Sequence, residues 1–283
     1  MLHTNFIKRL AVDVPLINAS HLSFMLARMQ SATSDNVNLA EPELFKKIRG
    51  TLEPKMELVK GGVAIVPVQG TLAYNPDLLE MIYDGVEDSR AVLKMLNESA
   101  DDDNIEGVLL RVDTPGGMML GGPEMADAVN AIKAKKPVVA HIGGLGASLG
   151  YMIASQATEV IANRSAIVGS IGVIASVTDY TALLEKIGIK FQYFTNAEAK
   201  FKAAGAMGTS LSDDQKTQLQ AQVDSAFQIF KGMVLAARPQ VKESAMQGQV
   251  FRGQEAKGVG LVDRVGNESF ALGILKSCMK NRV

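Results

Sequence analysis

Between residues 62 and 266 one pattern repeats: a short apolar run rich in β-branched residues, a small-residue turn, then a stretch with helical spacing. A strand covered on both faces is apolar at nearly every position, whereas a crossover helix is apolar on one side only. Gly62-Val63-Ala64-Ile65-Val66-Pro67-Val68, ending at Gly70, predicts the first buried strand, and a helix follows from Pro76 to about Ala100. Ile105 to Val112 predicts a second strand closed by Asp113-Thr114-Pro115-Gly116-Gly117, with a helix over Pro123 to Ala134. Pro137 to His141 is the next strand, Ser148 to Ala157 a helix, Glu159 to Ala162 a strand, Thr178 to Ile187 a helix and Lys190 to Phe194 a strand. Ser212 and Gln215 have the form of a capping box opening a long helix down to Ala237. The segment from Val250 to Gly266 predicts a turn, a short helix and a final strand at Gly260-Leu261-Val262. This alternation argues for an α/β fold of parallel βαβ units.

The chain divides into an N-terminal extension, 1–58, partly helical over Asn18 to Met29, and a main domain over 59–283. With 47% hydrophobic residues there is ample material for a core. A net charge of -1 without a basic stripe lacks the electrostatic footprint of a nucleic-acid binder. One cysteine, Cys278, cannot form an internal disulfide, and three histidines supply no metal cluster. The apolar stretch after Lys8 and Arg9 is broken by Asp13 and Pro15, so neither a signal peptide nor a membrane span is expected, and the setting expected is cytoplasmic.

Gly143-Gly144-Leu145-Gly146-Ala147-Ser148-Leu149-Gly150 places a serine after a strand and a small-residue turn, where a helix begins. A nucleophile gains there from unpaired backbone N–H groups and from glycines that let a substrate approach. The same serine also reads as a plain helix N-cap. A base must accompany it: His3 and His21 lie in the extension, and His141 sits inside a strand, where a buried, hydrogen-bonded core role suits it better. A lysine neutralised by burial is the remaining base, and Phe201-Lys202-Ala203-Ala204-Gly205-Ala206 offers one, with Lys200 as competitor. Both also read as ordinary surface charges. Gly116 and Gly117 could turn N–H groups outward as an oxyanion hole beside that of Leu149, or form a plain strand-end turn. Val168-Gly169-Ser170-Ile171-Gly172-Val173 reads as a tight turn without the features of a phosphate-binding loop.

In order, Leu110 to Gly117, Gly146 to Tyr151, Gly169 to Val173, Phe201 to Ala204, and Val250 to Gly253 with Ala256 through Asp263 resemble the signal peptide peptidase A family of serine proteases. The resemblance implies a ClpP/crotonase-like fold, Ser148 as nucleophile, Lys202 as base, Ser170 as the hydroxyl that positions the lysine, and oxyanion donors near Gly116, Gly117 and Leu149. The family usually carries glycine where this chain has Leu149. It also implies a homo-oligomer in which neighbouring subunits share active sites, because relatives with one copy of the domain are built so. No metal, nucleotide or other cofactor is implied. Soluble phage members process capsid and scaffold proteins, and they fit a chain without an anchor better than membrane-bound members do. The alternatives are a cytoplasmic bacterial peptidase, a crotonase-type acyl-CoA enzyme and a non-catalytic assembly protein.

Overall fold

The computed structural model describes residues 49–281, so the Asn18–Met29 helix and most of the expected extension lie outside the described residues. The described chain forms two compact units, residues 49–175 with 219–281, and residues 176–218.

The larger unit begins with β1 (Glu57–Val59), β2 (Val63–Ala73), α1 (Leu78–Tyr83), β3 (Val86–Asp88), α2 (Ser89–Asp101), β4 (Gly107–Gly117) and α3 (Gly122–Lys135). Next come β5 (Val138–Ala147), α4 (Leu149–Ser155), β6 (Glu159–Ala162) and β7 (Ile167–Gly169). In the smaller unit lies α5 (Thr181–Lys186), and α6 (Asp213–Ala237) begins there; β8 (Val250–Arg252), α7 (Gly253–Gly258), β9 (Arg264–Val265) and α8 (Glu268–Lys280) complete the larger unit.

The sheet runs β1-β2-β4-β5-β6-β9, parallel from β2 onward, with the α/β class and repeated βαβ units that the alternation predicts. Beyond its midpoint the sheet splits. The first half of β5 pairs with β6, and Leu145, Gly146 and Ala147 pair instead with β7. Alternate residues of each strand supply two cores. Ala64, Val66 and Val68 belong to one core with side chains of α2, α3 and α4, whereas Val63, Ile65, Leu109, Val139 and Ile161 pack with Ala271 and Leu275 of α8. Burial of each such aliphatic side chain contributes about 1.5–3 kcal/mol, which is why these strands read as unbroken apolar runs.

Several sequence expectations are corrected. The helix from Pro76 to Ala100 is two helices separated by β3: Asp77 caps the first, Asp88 the second, and Gly85 at φ +62 makes the turn between them. Lys190 to Phe194 forms no strand, since it has no ladder partner. Leu261 and Val262 are buried, but the final strand is Arg264–Val265, one step further on. The capping box at Ser212 and Gln215 forms reciprocally, at 3.1 and 3.3 Å.

Candidate active site

β5 runs through the glycines of 143–146 without the expected turn, so Ser148 follows directly on a strand. Its backbone takes φ 52 and ψ -126, a conformation that costs a residue with a Cβ, and α4 starts at the next residue. The conformation is held from both sides. The Ser148 N–H donates to the Gly169 carbonyl at 2.8 Å, and the Ser148 carbonyl accepts from the N–H groups of Tyr151 and Met152 at 2.9 and 3.0 Å. The hydroxyl makes no cap bond, so the plain N-cap alternative does not describe it.

Asp113 to Gly117 form the last five residues of β4, not a turn after it. The β4–β5 register shifts between Val112 and Thr114, and β4–β2 pairing shifts between Gln69 and Thr71. These irregularities bring β4 against the nucleophile turn. A Cβ on Gly116 would lie 2.6 Å from the Ser148 Cβ and 2.9 Å from the Leu149 nitrogen, so only glycine permits this approach. Gly117 is exposed, Gly116 and Leu149 are buried, and Ser148 is half-buried.

Ser170 follows β7 as Ser148 follows β5, and with the same φ of 52. Ala147 pairs with Gly169, so the two serines stand at the ends of adjacent parallel strands. The Ser170 N–H donates to the Gln249 carbonyl at 2.8 Å. The segment expected as a tight turn is therefore a short strand that ends in a fixed, half-buried serine.

The smaller unit carries both lysines on successive tight turns over 196–209. Lys200 pairs with Asp214 at 2.9 Å and lies over the Phe201 ring, while its carbonyl accepts from the Gln215 amide. That pairing holds the Asp214 carboxyl below its ordinary range. Lys202 has no ion pair among the described residues. It is exposed, contrary to the expected buried amine.

His141 is 3% exposed, and its Nε2 lies 3.3 Å from Asn163 Oδ1. Its other ring nitrogen lies 4.0 Å from Glu268, which Arg111 grips at 2.8 and 2.9 Å. The core role expected of this histidine is what the geometry provides. Thr114 was not singled out in the sequence, yet its buried hydroxyl accepts the Gly116 N–H at 3.0 Å and donates to the Gly70 carbonyl. The only available signal was a hydroxyl residue two positions before the glycine pair. No helix among the described residues is long and apolar enough to cross a membrane.

The chain is similar to known proteins over much of its length. A protease candidate of Methanocaldococcus jannaschii is 34% identical over 66% of this chain and 60% of its own length. Capsid assembly protease C of Escherichia phage lambda is 30% identical over 82% of this chain and 53% of its own length. The chain thus spans little more than half the length of these relatives. An enoyl-CoA hydratase/isomerase family member of known structure aligns over 80% of this chain and 76% of its own, with 17% identity and a TM-score of 0.45. The profile of peptidase family S49 matches residues 130–280, more than half of the chain. Ser148, Ser170 and Lys202 all fall inside that span, and the chain belongs to peptidase family S49.

Proposed function

We propose that this chain is a serine endopeptidase in which Ser148 is the nucleophile and Lys202 the general base. The observation that carries the reading is the strained, doubly anchored backbone of Ser148, pressed against a glycine at the end of β4. The Ser148 Oγ attacks a peptide carbonyl carbon while its proton passes to the neutral Lys202 amine. Backbone N–H groups in the 116–117 segment and at Leu149 hold the resulting oxyanion. Collapse expels the amine product, which takes the proton from Lys202, and leaves an acyl-enzyme that a lysine-activated water hydrolyses.

A charged, exposed lysine is a poor base, so the reading requires cover for Lys202. A neighbouring copy supplies it in a homo-oligomer with shared active sites. Support comes from Lys202, exposed and without an ion pair among the described residues, and from large apolar groups on the same unit, including Phe194 at 92% and Ile187 at 58% exposure. Ser170 then orients the amine. The pairing of Lys200 with Asp214 favours Lys202 over Lys200 as base.

The substrates proposed are capsid and scaffold proteins during phage head maturation, in the host cytoplasm or the assembling head. Similarity to the phage lambda capsid assembly protease over 82% of the chain supports this setting. The test is cleavage of dye-labelled casein and of the chain's own phage capsid and scaffold proteins by wild type, Ser148→Ala, Lys202→Ala and Lys200→Ala. Oligomeric state is followed alongside. Activity lost in the first two variants and retained in the third, with the oligomer intact, is the expected result. Activity in Ser148→Ala removes the mechanism, and casein cleavage with intact capsid proteins removes the phage role.

A further inference from the structure

The hydroxyl of Thr114 has one proton and is fully committed. It donates to the Gly70 carbonyl on β2 and accepts the Gly116 N–H at 3.0 Å. The Gly116 N–H therefore points toward β2 and away from a carbonyl bound at Ser148. The Met118 N–H also points toward β2, donating to the Leu72 carbonyl at 2.8 Å. Leu72 pairs with Gly117 in the parallel β2–β4 ladder and that pair is closed on the Met118 N–H, so the Gly117 N–H faces away from β2. Gly117 is also exposed and Gly116 buried.

Thr114 is itself fully buried and touches a third element through its methyl. A Cβ on Gly150 would lie 2.3 Å from the Thr114 Cγ2, which shows how closely that methyl sits on the first turn of α4. One side chain thus fixes the end of β4 to β2 by its hydroxyl and to the turn after Ser148 by its methyl. It also stands where the β4–β5 register shifts, and it binds the carbonyl of the residue at the β2–β4 shift. Without the hydroxyl, the Gly116 N–H loses the acceptor that holds it toward β2, and the direction of the Gly117 N–H rests on the β2–β4 pairing alone.

We infer that Thr114 is a positioning residue for the oxyanion hole: it holds the Gly116 N–H toward β2 so that the Gly117 N–H is the donor β4 offers. This rests on the reading of Ser148 as nucleophile and deepens it, dividing the roles of the two glycines. Gly116 provides the close approach to Ser148, and Gly117 provides the hydrogen bond.

The test compares Thr114→Val, which keeps the shape and loses the hydroxyl, with Thr114→Ser, which keeps the hydroxyl and loses the methyl. Wild type and Ser148→Ala run in the same casein assay, at a temperature where thermal melts show every variant folded. Thr114→Val is expected to lower kcat about 10²-fold, on the scale of a lost oxyanion donor, with KM within about twofold of wild type. Thr114→Ser is expected to restore kcat to within about fivefold. A Thr114→Val chain with wild-type kcat overturns the inference while leaving Ser148 in place. Equal kcat losses in Val and Ser variants also overturn it, because a packing role depends on the methyl. Activity in Ser148→Ala removes the nucleophile reading and this inference with it.

Discussion

The Ser148 N–H donates to the Gly169 carbonyl at 2.8 Å, fastening the first residue beyond β5 to the last residue of β7. That bond, with the turn of α4 on the other side, keeps Ser148 at φ 52 and ψ -126, where glycine is the comfortable residue. Such conformations cost a residue with a Cβ about 1–3 kcal/mol. Ser148→Gly is therefore expected to exceed Ser148→Ala in stability by about 1 kcal/mol, after the extra flexibility of the unfolded glycine chain is counted. Urea denaturation of the two inactive variants measures this, and equal midpoints would show that the backbone is unstrained.

Gly116→Ala introduces a methyl 2.6 Å from the Ser148 Cβ and 2.9 Å from the Leu149 nitrogen, against atoms that cannot swing away. The expected outcome is a loss of peptidase activity above about 100-fold with destabilisation of about 1–3 kcal/mol. Gly273→Ala in α8 is the matching control: its Cβ meets nothing within 4 Å, so it should stabilise by about 0.5–1 kcal/mol and leave activity unchanged. Melting temperature and casein cleavage, read for both variants, separate a steric effect from a general intolerance of glycine replacement.

The strand cores were legible because burial on both faces leaves an apolar run with no alternative reading, as in Val63 to Val68 and Gly107 to Val112. The short β3 was hidden inside apparent helical periodicity, and the caps Asp77 and Asp88 with Gly85 between them mark the break. Both glycine-rich segments, 113–117 and 143–147, looked like turns because glycine is the usual mark of one. Here glycine serves close packing of extended chain: Gly117 would place a Cβ 1.8 Å from the Leu72 carbonyl oxygen, and Gly116 abuts Ser148. The Thr114 hydroxyl was illegible for a related reason, since its partners Gly70 and Gly116 meet only through strand register. Lys202 stood out by its small neighbours, but its exposure depends on tertiary cover, which local sequence does not encode.

Acid should weaken the larger unit through Glu268. The Arg111 guanidinium, hydrogen-bonded to its carboxylate, holds Glu268 below its ordinary value of 4.5, against an opposing push from burial. A depressed carboxyl contributes stability that is present above the unfolded value and lost as pH falls through the folded one. Urea midpoints for wild type should therefore fall between about pH 5 and pH 3, and Glu268→Gln should flatten that slope while starting lower at pH 7. Identical slopes in the two chains would mean that other carboxylates govern the acid limb.

Arg238 is a buried polar support at the end of the nucleophile helix. It is 4% exposed, and its Nε and Nη2 donate to the Ser155 and Ala157 carbonyls at 3.0 and 2.8 Å, at the C-terminal end of α4. Its Nη1 donates to Asp263 Oδ2 at 2.6 Å, and the same oxygen accepts the Val160 N–H at 2.7 Å. The guanidinium thus satisfies carbonyls that a helix end leaves without partners, and its fork reaches three acceptors that one ammonium cannot reach together. Arg238→Met fills similar volume but removes the guanidinium from the Ser155 and Ala157 carbonyls and leaves Asp263 with the Val160 N–H but without its ion-pair partner, at an expected cost of about 3–5 kcal/mol. Arg238→Lys keeps the charge and should fall between the two. In a thermal melt the methionine variant should lose about 10 °C, given roughly 2–4 °C per kcal/mol for a domain of this size. KM for casein below the melt should stay within about twofold, because Arg238 acts on the helix from the end opposite Ser148. A methionine variant as stable as wild type would show that α4 is anchored by its apolar contacts alone, and one that is stable but inactive would place Arg238 in the path that holds Ser148.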